Sequence, residues 1–416
     1  MLAATTIAIA LLALGSSAWF WARALRGFLA WRRSTRDPDP VEWPQAHVFV
    51  CLKGRLPGIE QTLGALQAQD YPARYRVTFV TEAGAEQGDE AARDLAKWLP
   101  GAPDCDHVIA GRVLERDVRC AQKNFNLLAG IRHADEVHPG AEVFAFCDGD
   151  LLVKSSWLRE MIRPIAVRAS EASTSFHWVA AEGRRIVEAL HGLAEAAQSM
   201  AALVCRGATW GGSMAIRAST FHEYRLHEMW GRTVVDDMAL SRAMKRRRLR
   251  VAPVPRFLVQ STSEIQGYGG FVKWLARQYF FVKVYQPSLY WMLWMKTALD
   301  VASIWSGCLH LFWWIFLREW PAGATVGWIA IATAFVNVSS THLYRFLLPE
   351  RPSARAWMPA ALLAPGASFL ACASAALRRR RLTWRDLTYV VERDGSVRGV
   401  TLTNPEIDRP LAEEAA

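Results

Sequence analysis

Two aspartates separated by one residue carry the clearest chemical signal in the sequence. Asp148 and Asp150 follow the apolar run AEVFAFCD, and Gly149 between them permits a turn at which the two carboxylates can converge. Two oxygen ligands of this kind hold Mg²⁺ or Mn²⁺, with substrate phosphates completing the coordination shell. A solvated loop explains an isolated pair equally well, but a buried strand before it favours a metal site that neutralises a diphosphate leaving group.

A second acidic pair, Asp236 and Asp237, opens a predicted helix that runs to Arg248. Acids in a first helical turn often serve only as caps that complement the helix dipole. The functional alternative makes Asp237 a general base that takes the proton from an acceptor hydroxyl. A carboxylate suffices for this role when the proton leaves late, as cleavage of a C–O bond builds an oxocarbenium-like sugar.

Two further segments offer groups that a phosphate-bearing ligand needs. Lys123 and Asn126 lie in the segment QKNFN, where a lysine either contacts phosphate as a point charge or simply faces solvent. Gly211 and Gly212 lie in the segment WGGS before a predicted strand. Paired glycines allow close backbone approach to a ligand, and equally form a simple bend.

Apolar runs alternating with helical patterns predict the elements that position these residues. The runs HVFVCL, YRVTFVTE and AEVFAFCD predict strands, and residues 59–68 and the run AARDLAKWL predict helices. This alternation indicates an α/β domain over residues 45–278, with a Rossmann-like mixed sheet and helices on both faces. Ligands in such sheets bind beyond the carboxyl ends of the strands, where Glu82 and Asp148 fall.

Apolar stretches at both ends predict a membrane protein. Residues 1–22 are apolar and uncharged, and basic residues follow from Arg23 onward, which indicates a retained anchor over residues 1–24 and a catalytic domain on the cytoplasmic face. Residues 279–377 follow as an interfacial helix and membrane elements, and residues 378–416 as a cytoplasmic tail that contributes to the site. Within the membrane elements we expect an interfacial amphipathic helix over 279–295, spans over 298–317 and 325–347, and a re-entrant hairpin over 357–376.

Charge and cysteine content narrow the choice of partners. The net charge is +10, and basic residues cluster beside the apolar stretches, as expected for contact with anionic lipid. Nucleic-acid binding is the competing explanation, but no recognition motif accompanies the charge, so we expect no nucleic-acid partner. The seven cysteines have no paired spacing, which fits a reducing compartment and gives no zinc-site signal.

These motifs, taken in order, resemble the ceramide glucosyltransferase family, a branch of the inverting GT-A glycosyltransferases, and also look similar to bacterial hopanoid-associated transferases. The motifs LKG after the first strand and QDYP before the second belong to the likeness. The remaining matched positions are Lys123 with Asn126 and Leu127, Asp148-Gly149-Asp150, Gly211-Gly212-Ser213-Met214, Asp236-Asp237, and Leu382-Thr383-Trp384-Arg385 with Tyr389.

The resemblance implies a GT-A-like fold, a nucleotide-sugar donor, a lipid acceptor in the bilayer and inversion at the anomeric carbon. It implies UDP-glucose and ceramide in particular, with Mg²⁺ or Mn²⁺ as cofactor. The implied metal ligands are Asp148 and Asp150, and the implied catalytic pair is Asp237 with Asp236. The implied donor side is Glu82, Lys53, Lys123, Asn126 and Asp148, and the implied acceptor and phosphate side is Gly211, Gly212, Arg277, Gln278, Trp384 and Arg385.

Three departures from the family pattern leave alternatives open. Glu82 stands where the family has an aspartate, and Phe280-Phe281 stands where it has Arg-Trp after the position of Arg277. His177 could match an active-site histidine, but its spacing differs and we expect a structural role. A hopanoid, diacylglycerol or polyprenyl phosphate acceptor is the alternative substrate, and a degenerate nucleotide-binding scaffold is the alternative class.

Overall fold

We describe a computed structural model of the chain. It describes residues 2–34, 39–54, 56, 58–87, 89–179, 185–204, 207–261, 265–317, 348–378 and 380–403, with single positions and short runs between 325 and 345. The chain divides into two compact units. The apolar unit comprises Met1–Pro38, Ser175–Arg206 and Pro253–Leu377, and the sheet unit comprises Asp39–Thr174, Gly207–Ala252 and Arg378–Ala416.

The sheet unit alternates strands and helices, as the sequence predicts. Its strands are β1 (Ala46–Leu52), β2 (Tyr75–Thr81), β3 (Cys105–Ile109), β4 (Val143–Asp148), β5 (Leu152–Val153), β7 (Ser213–Arg217), β9 (Arg381–Trp384), β10 (Leu387–Val391) and β11 (Val397–Leu402). Its helices are α2 (Ile59–Gln67), α3 (Glu90–Trp98), α4 (Gln122–Val137), α5 (Trp157–Ala166), α7 (Ala218–Glu223), α8 (Leu226–Trp230) and α9 (Asp236–Arg246). Two longer strands, β6 (Ala172–Val179) and β8 (Val251–Ser261), begin in this unit.

The larger sheet has the order β3-β2-β1-β4-β7-β6-β8-β5 among the described residues. Strands β3, β2, β1 and β4 run parallel, and β7 is antiparallel to β4, so the sheet is mixed. The central strands are apolar on both faces because helices and loops cover both, as is usual for buried parallel strands. Helix α4 packs on β1 and β2. A smaller antiparallel sheet has the order β11-β10-β9.

The core beneath the candidate site is aromatic. Phe49, Phe144 and Phe146 from the central strands pack with Trp230 and Leu127, and all five are at most 1% exposed. Burying side chains of this size stabilises the fold by about 1.5–3 kcal/mol each. This core fixes the strand ends on which the candidate site is built.

The apolar unit consists mainly of long helices: α1 (Leu2–Ser34), α6 (Ile186–Val204), α10 (Gly267–Tyr285), α11 (Pro287–Leu317) and α12 (Ala354–Leu377). Three stretches within them are long and apolar enough to cross a membrane: Ile7–Leu29, Pro287–Phe316 and Ala354–Leu377. Large side chains on these helices, such as Trp19, Trp305 and Phe316, are exposed. Exposed apolar surface of this extent is typical of contact with lipid.

The structure departs from two predictions about the membrane elements. The single interfacial helix expected over 279–295 is instead divided at Gln286 between α10 and α11, because Pro287 begins a new helix. The re-entrant hairpin expected over 357–376 is wrong, because α12 is one continuous helix that contains Pro359 and Pro365. A proline costs a helix one hydrogen bond without ending it where neighbouring helices support the chain. The span expected over 325–347 lies partly outside the described residues, and the positions that are described are helical.

Candidate active site

Three candidate residues lie at the carboxyl ends of adjacent parallel strands. Lys53 follows β1, Glu82 follows β2 and Asp148 ends β4. Strand β1 pairs with both neighbours, with Leu52 opposite Thr81 and Cys51 opposite Asp148. Because the carboxyl ends of parallel strands share one edge, the fold brings the three side chains to the same edge of the sheet.

Glu82 is buried and held by two cations. Its Oε2 lies 2.8 Å from Lys53 Nζ, and its Oε1 accepts a 2.8 Å hydrogen bond from Arg112 Nε. Asp386, in the turn between β9 and β10, accepts a 2.8 Å hydrogen bond from Lys53 Nζ. The hydrogen bond and the charge of Glu82 raise the pKa of Arg112. The small sheet thereby joins a charged cluster at the end of β2.

Gln122 fixes the loop that carries Arg112. Its Oε1 accepts a hydrogen bond from Val113 N, and its Nε2 donates to Gly111 O, both at 2.8 Å. The same Nε2 donates to Asn126 Oδ1 at 2.8 Å. Asn126 therefore contacts Gln122 and supports this loop.

Lys123 holds two of the candidate aspartates together. Its Nζ lies 2.7 Å from Asp148 Oδ1 and 3.3 Å from Asp236 Oδ2. Burial alone lowers the pKa of Lys123, but Asp148 and Asp236 outweigh it and the pKa is raised well above its usual value. Burial raises the pKa of Asp148 to about 6, with Lys123 opposing the shift and Asp150 adding to it.

Asp237 is held by backbone donors at the start of α9. Its Oδ2 accepts a 2.8 Å hydrogen bond from Gly211 N, and its Oδ1 accepts one from Met238 N. Burial and the neighbouring Asp236 raise the pKa of Asp237 to about 7, while the Gly211 N–H and Lys123 oppose the shift. A carboxyl group with this pKa can accept a proton near neutral pH.

The glycine turn before β7 braces both acidic pairs. Gly211 O accepts a 3.3 Å hydrogen bond from Lys123 Nζ, and Gly212 O accepts one of 3.2 Å from Asp148 N. A Cβ on Gly211 would lie 2.6 Å from Asp236 Oδ2, and a Cβ on Gly212 would lie 2.3 Å from the Trp210 ring. Only glycine fits at these two positions without displacing a neighbour.

The carboxylate oxygens of the site are suitable ligands for a divalent cation. Three carboxyl groups, from Asp148, Asp236 and Asp237, act on the ammonium of Lys123, and the exposed Asp150 adds its charge beside Asp148, so negative charge is in excess among the described residues of this cluster. Among the described residues, Asp148 and Asp150 do not join a third His, Cys, Asp or Glu with all ligand atoms within 4.8 Å. Oxygen ligands from a bound diphosphate would complete the shell of Mg²⁺ or Mn²⁺.

The remaining predicted residues fall in three places. Trp384 ends β9, and Arg385 follows it in the turn with a φ of 56°, directly before Asp386 of the Glu82 cluster. Arg277 and Gln278 lie within α10 of the apolar unit. His177 lies in β6, on a strand as predicted.

Sequence reasoning missed several residues that shape the site. Arg112 follows a strand, β3, that the sequence analysis did not predict, and Asp386 adjoins the matched Trp384-Arg385 segment without belonging to it. Asn124 is completely buried between two candidate residues and donates to Thr233 O at 2.9 Å, which anchors the loop before α9. Asn124 directly follows Lys123 and is not at helical spacing with it, so no periodic pattern singled it out.

Comparisons with known proteins give a family and two distant structures. The family described as glycosyl transferase family 21 matches residues 5–397. A mannosyltransferase from Pyrobaculum calidifontis, solved in complex with GDP-Man and Mn²⁺, is 15% identical, with a TM-score of 0.46 over 89% of this chain and 99% of its own. TarS 1–349 from S. aureus is 11% identical, with a TM-score of 0.36 over 83% of this chain and 96% of its own. No curated protein sequence matches the chain.

The family match extends over nearly the whole chain, from the first apolar helix to the small C-terminal sheet. It includes every candidate residue at the strand ends and at the start of α9. The mixed sheet with its packed helices is the α/β arrangement that the sequence predicts. The chain belongs to glycosyl transferase family 21, the ceramide glucosyltransferase family that its motifs resemble.

Proposed function

We propose that this glycosyltransferase moves glucose from UDP-glucose to the hydroxyl of a membrane lipid, with ceramide as acceptor and inversion at the anomeric carbon. The observation that carries the proposal is the cluster of Asp148, Asp236 and Asp237 around Lys123. It combines a cation site for a diphosphate with a carboxyl group whose pKa of about 7 suits a general base.

In this proposal the donor lies along the carboxyl edge of the sheet. Lys53 and Arg112 hold Glu82 in place for contacts with the nucleoside, and Lys123 adds a positive charge beside the diphosphate. Asp148 and Asp150 would hold Mg²⁺ or Mn²⁺, and such an ion would supply positive charge for the departing UDP. These contacts place the anomeric carbon for attack from the face opposite the leaving group.

Asp237 removes the acceptor proton in the proposed reaction. The lipid oxygen forms a bond to the anomeric carbon while the bond from that carbon to the UDP oxygen breaks. The hydroxyl proton passes to the Asp237 carboxylate, and UDP leaves with the electrons of the broken bond. Backbone donors from Gly211 and Met238 hold the carboxylate, so its orientation is fixed before the acceptor arrives.

The apolar helices support a lipid as the acceptor. A two-chain lipid does not leave a bilayer freely, because each exposed CH₂ group costs about 0.8 kcal/mol. Three stretches of this chain are long and apolar enough to lie in the same bilayer. Only the headgroup hydroxyl then has to reach Asp237, and we propose that the sheet unit meets it on the cytoplasmic face.

The test is lipid extraction from a host that lacks glycolipids and expresses the full chain. The purified protein is then supplied with labelled UDP-glucose and ceramide, with Asp237→Asn as the test variant and the exposed surface change Asp94→Asn as its control. We expect a glycosphingolipid with wild type and Asp94→Asn, and almost none with Asp237→Asn.

Other outcomes would redirect or end the proposal. A new glycolipid without a sphingoid chain would identify another lipid acceptor, and tolerance of Asp237→Asn would favour a phosphate acceptor, which needs little help from a base. Nucleotide binding with neither transfer nor hydrolysis of any sugar donor would mean that the chain is a scaffold.

A further inference from the structure

A second group of metal-binding side chains lies in the apolar unit, and none of its members belongs to the candidate active site. It consists of His177 in β6 and of His191 and Glu195 in α6. One ligand atom from each side chain lies within 4.8 Å of the others. The three residues are 8%, 7% and 3% exposed, so the group is enclosed by protein.

The distances in this group exceed those of hydrogen bonds. His177 Nε2 lies 3.6 Å and His191 Nε2 lies 3.5 Å from the same oxygen, Glu195 Oε1. A hydrogen bond between these atoms would be about 2.7–3.2 Å long. Ligands bound at about 2.0–2.2 Å around a tetrahedral ion are separated by roughly 3.3–3.6 Å. The observed separations therefore have the spacing expected of ligands around one shared metal ion.

The second oxygen of Glu195 points to the same conclusion. Glu195 Oε2 is buried, and no hydrogen-bond donor among the described residues reaches it. The basic groups of the described residues within 4 Å of the carboxylate are the two imidazoles. A buried carboxylate with one unsatisfied oxygen is costly, and a metal ion or a metal-bound water would satisfy it.

Chain geometry makes the group a firm set of ligands. His191 and Glu195 are four residues apart and lie on one face of α6. The ring of Trp274 packs edge-on against His191 with a centroid distance of 4.6 Å, which limits rotation of that imidazole. His177 lies on strand β6, and its side chain is also buried. Preorganised ligands of this kind bind a metal without a large loss of side-chain entropy.

We propose that His177, His191 and Glu195 bind one Zn²⁺ ion, which joins α6 to β6 and has its fourth position open to water or a small ligand. Two imidazole nitrogens and one carboxylate oxygen are a donor set that favours Zn²⁺. It differs from the oxygen-only set of Asp148 and Asp150, which suits Mg²⁺ or Mn²⁺. The proposal does not depend on the sugar or the acceptor.

A similar group in the sheet unit is a weaker candidate. Asp106, His133 and His138 also meet within 4.8 Å, but Asp106 already accepts a hydrogen bond from Arg76 at 3.4 Å. The charge of Arg76 opposes a divalent ion at that position. The group therefore provides a matched control.

The test uses the full chain in detergent with Asp148→Asn and Asp150→Asn present, so that zinc cannot report from the candidate active site. The metal-free protein is titrated with Zn²⁺ alone, and bound zinc is counted by mass spectrometry. We expect about one Zn²⁺ per chain and a rise in Tm on binding. Adding Glu195→Gln should weaken binding by about 10–100-fold or more, whereas adding His133→Ala should leave it unchanged.

X-ray absorption on the zinc-loaded protein keeps the proposal testable if Glu195→Gln fails to fold. Two nitrogen ligands and oxygen at about 2.0–2.2 Å are expected. Absence of bound zinc in the background protein would overturn the proposal. So would unchanged affinity in a folded Glu195→Gln protein, or loss of zinc with His133→Ala.

Discussion

Asp236 and Asp237 are neighbours in the chain, but their carboxylates have different partners. Asp236 is 3% exposed, and its carboxylate faces the ammonium of Lys123. Asp237 is only partly buried and is held by backbone N–H groups, which leaves it able to take up a proton. At the residue scale we therefore assign the proposed base to Asp237 and a positioning role to Asp236.

Asp237→Asn should lower kcat by about 10²–10⁴-fold, because an amide oxygen accepts the Gly211 hydrogen bond but cannot take the acceptor proton. The dissociation constant of the nucleotide donor should change little, since the variant removes no proposed donor contact. Steady-state transfer and donor binding by calorimetry are the two measurements. A variant with wild-type kcat would remove Asp237 from the mechanism.

The pH profile should follow the same carboxyl group. Its pKa of about 7 means that the base form is lost as the pH falls, so kcat/KM should drop about tenfold per unit below that pH. Protonation of Asp148, with a pKa of about 6, should add a further loss at lower pH. The residual activity of Asp237→Asn should lack the first of these losses. A wild-type profile that stays flat through pH 7 would contradict the assignment.

At the element scale, the turn between β9 and β10 reaches the Glu82 cluster through Asp386. The side-chain hydrogen bond from Lys53 holds the pKa of Asp386 below its usual value despite partial burial. Because Asp386 is partly exposed, its ion pairs are worth only about 0–1 kcal/mol. The contact therefore orients Lys53 and Arg112 and contributes little to global stability.

Asp386→Asn should raise the donor KM by a few fold, about the factor that 1 kcal/mol represents, and leave kcat and Tm nearly unchanged. The matched control is Glu392→Gln, which alters exposed ion pairs with Arg380 and Arg398 at the other end of β10. The KM of the nucleotide-sugar donor is measured for both variants, and we expect it to rise only in Asp386→Asn. Equal effects from both changes would mean that Asp386 has no special link to the donor side.

The glycine turn before β7 gives the second element-scale prediction. Gly211→Ala would place a methyl group 2.6 Å from Asp236 Oδ2, so the turn or α9 must shift. We expect transfer to fall by at least about tenfold, as small displacements of positioned groups cost that much. Gly64→Ala in α2, where the added Cβ meets nothing within 4 Å, is the control. Full activity of Gly211→Ala would show that the turn does not set the position of the acids.

The elements of the sheet unit were predictable where hydrophobic patterning is strong. Strands β1, β2 and β4 and helices α2 and α3 appear within two residues of the predicted bounds, because their apolar residues are buried by the same sheet. Strand β3 was missed because it is only partly buried and carries Asp106 and His107. The ion pairs of Glu82 with Lys53 and Arg112 join residues distant in sequence, and no local pattern encodes such a contact.

At the scale of the whole molecule, the sequence correctly predicts which stretches are long and apolar enough to cross a membrane. It wrongly predicts that the last of them reverses direction as a hairpin. The runs in α1 and α11 are long enough to cross a membrane, as the sequence predicts. For α12 the basic residues on both sides of the apolar stretch favoured a re-entrant hairpin, yet the helix continues through Pro365, because in an apolar environment every remaining backbone hydrogen bond stabilises the helix. The four-part domain division, the site roles and the orientation of the helices stay predictions.

The whole molecule and its acceptor should share one lipid surface, which makes a kinetic prediction. In mixed micelles the transfer rate should follow the mole fraction of ceramide in the surface and not its bulk concentration, because moving a two-chain lipid through water costs about 0.8 kcal/mol per CH₂ group. In the measurement, added detergent lowers the mole fraction of ceramide in the micelles while the bulk ceramide concentration is held constant. Hydrolysis of the soluble nucleotide sugar is measured in parallel, to detect inactivation of the enzyme by detergent. We expect transfer to fall as the surface is diluted while hydrolysis stays constant. If the rate instead depends on bulk ceramide alone, the acceptor reaches the enzyme through water, and the three apolar helices serve to anchor the chain without presenting the lipid.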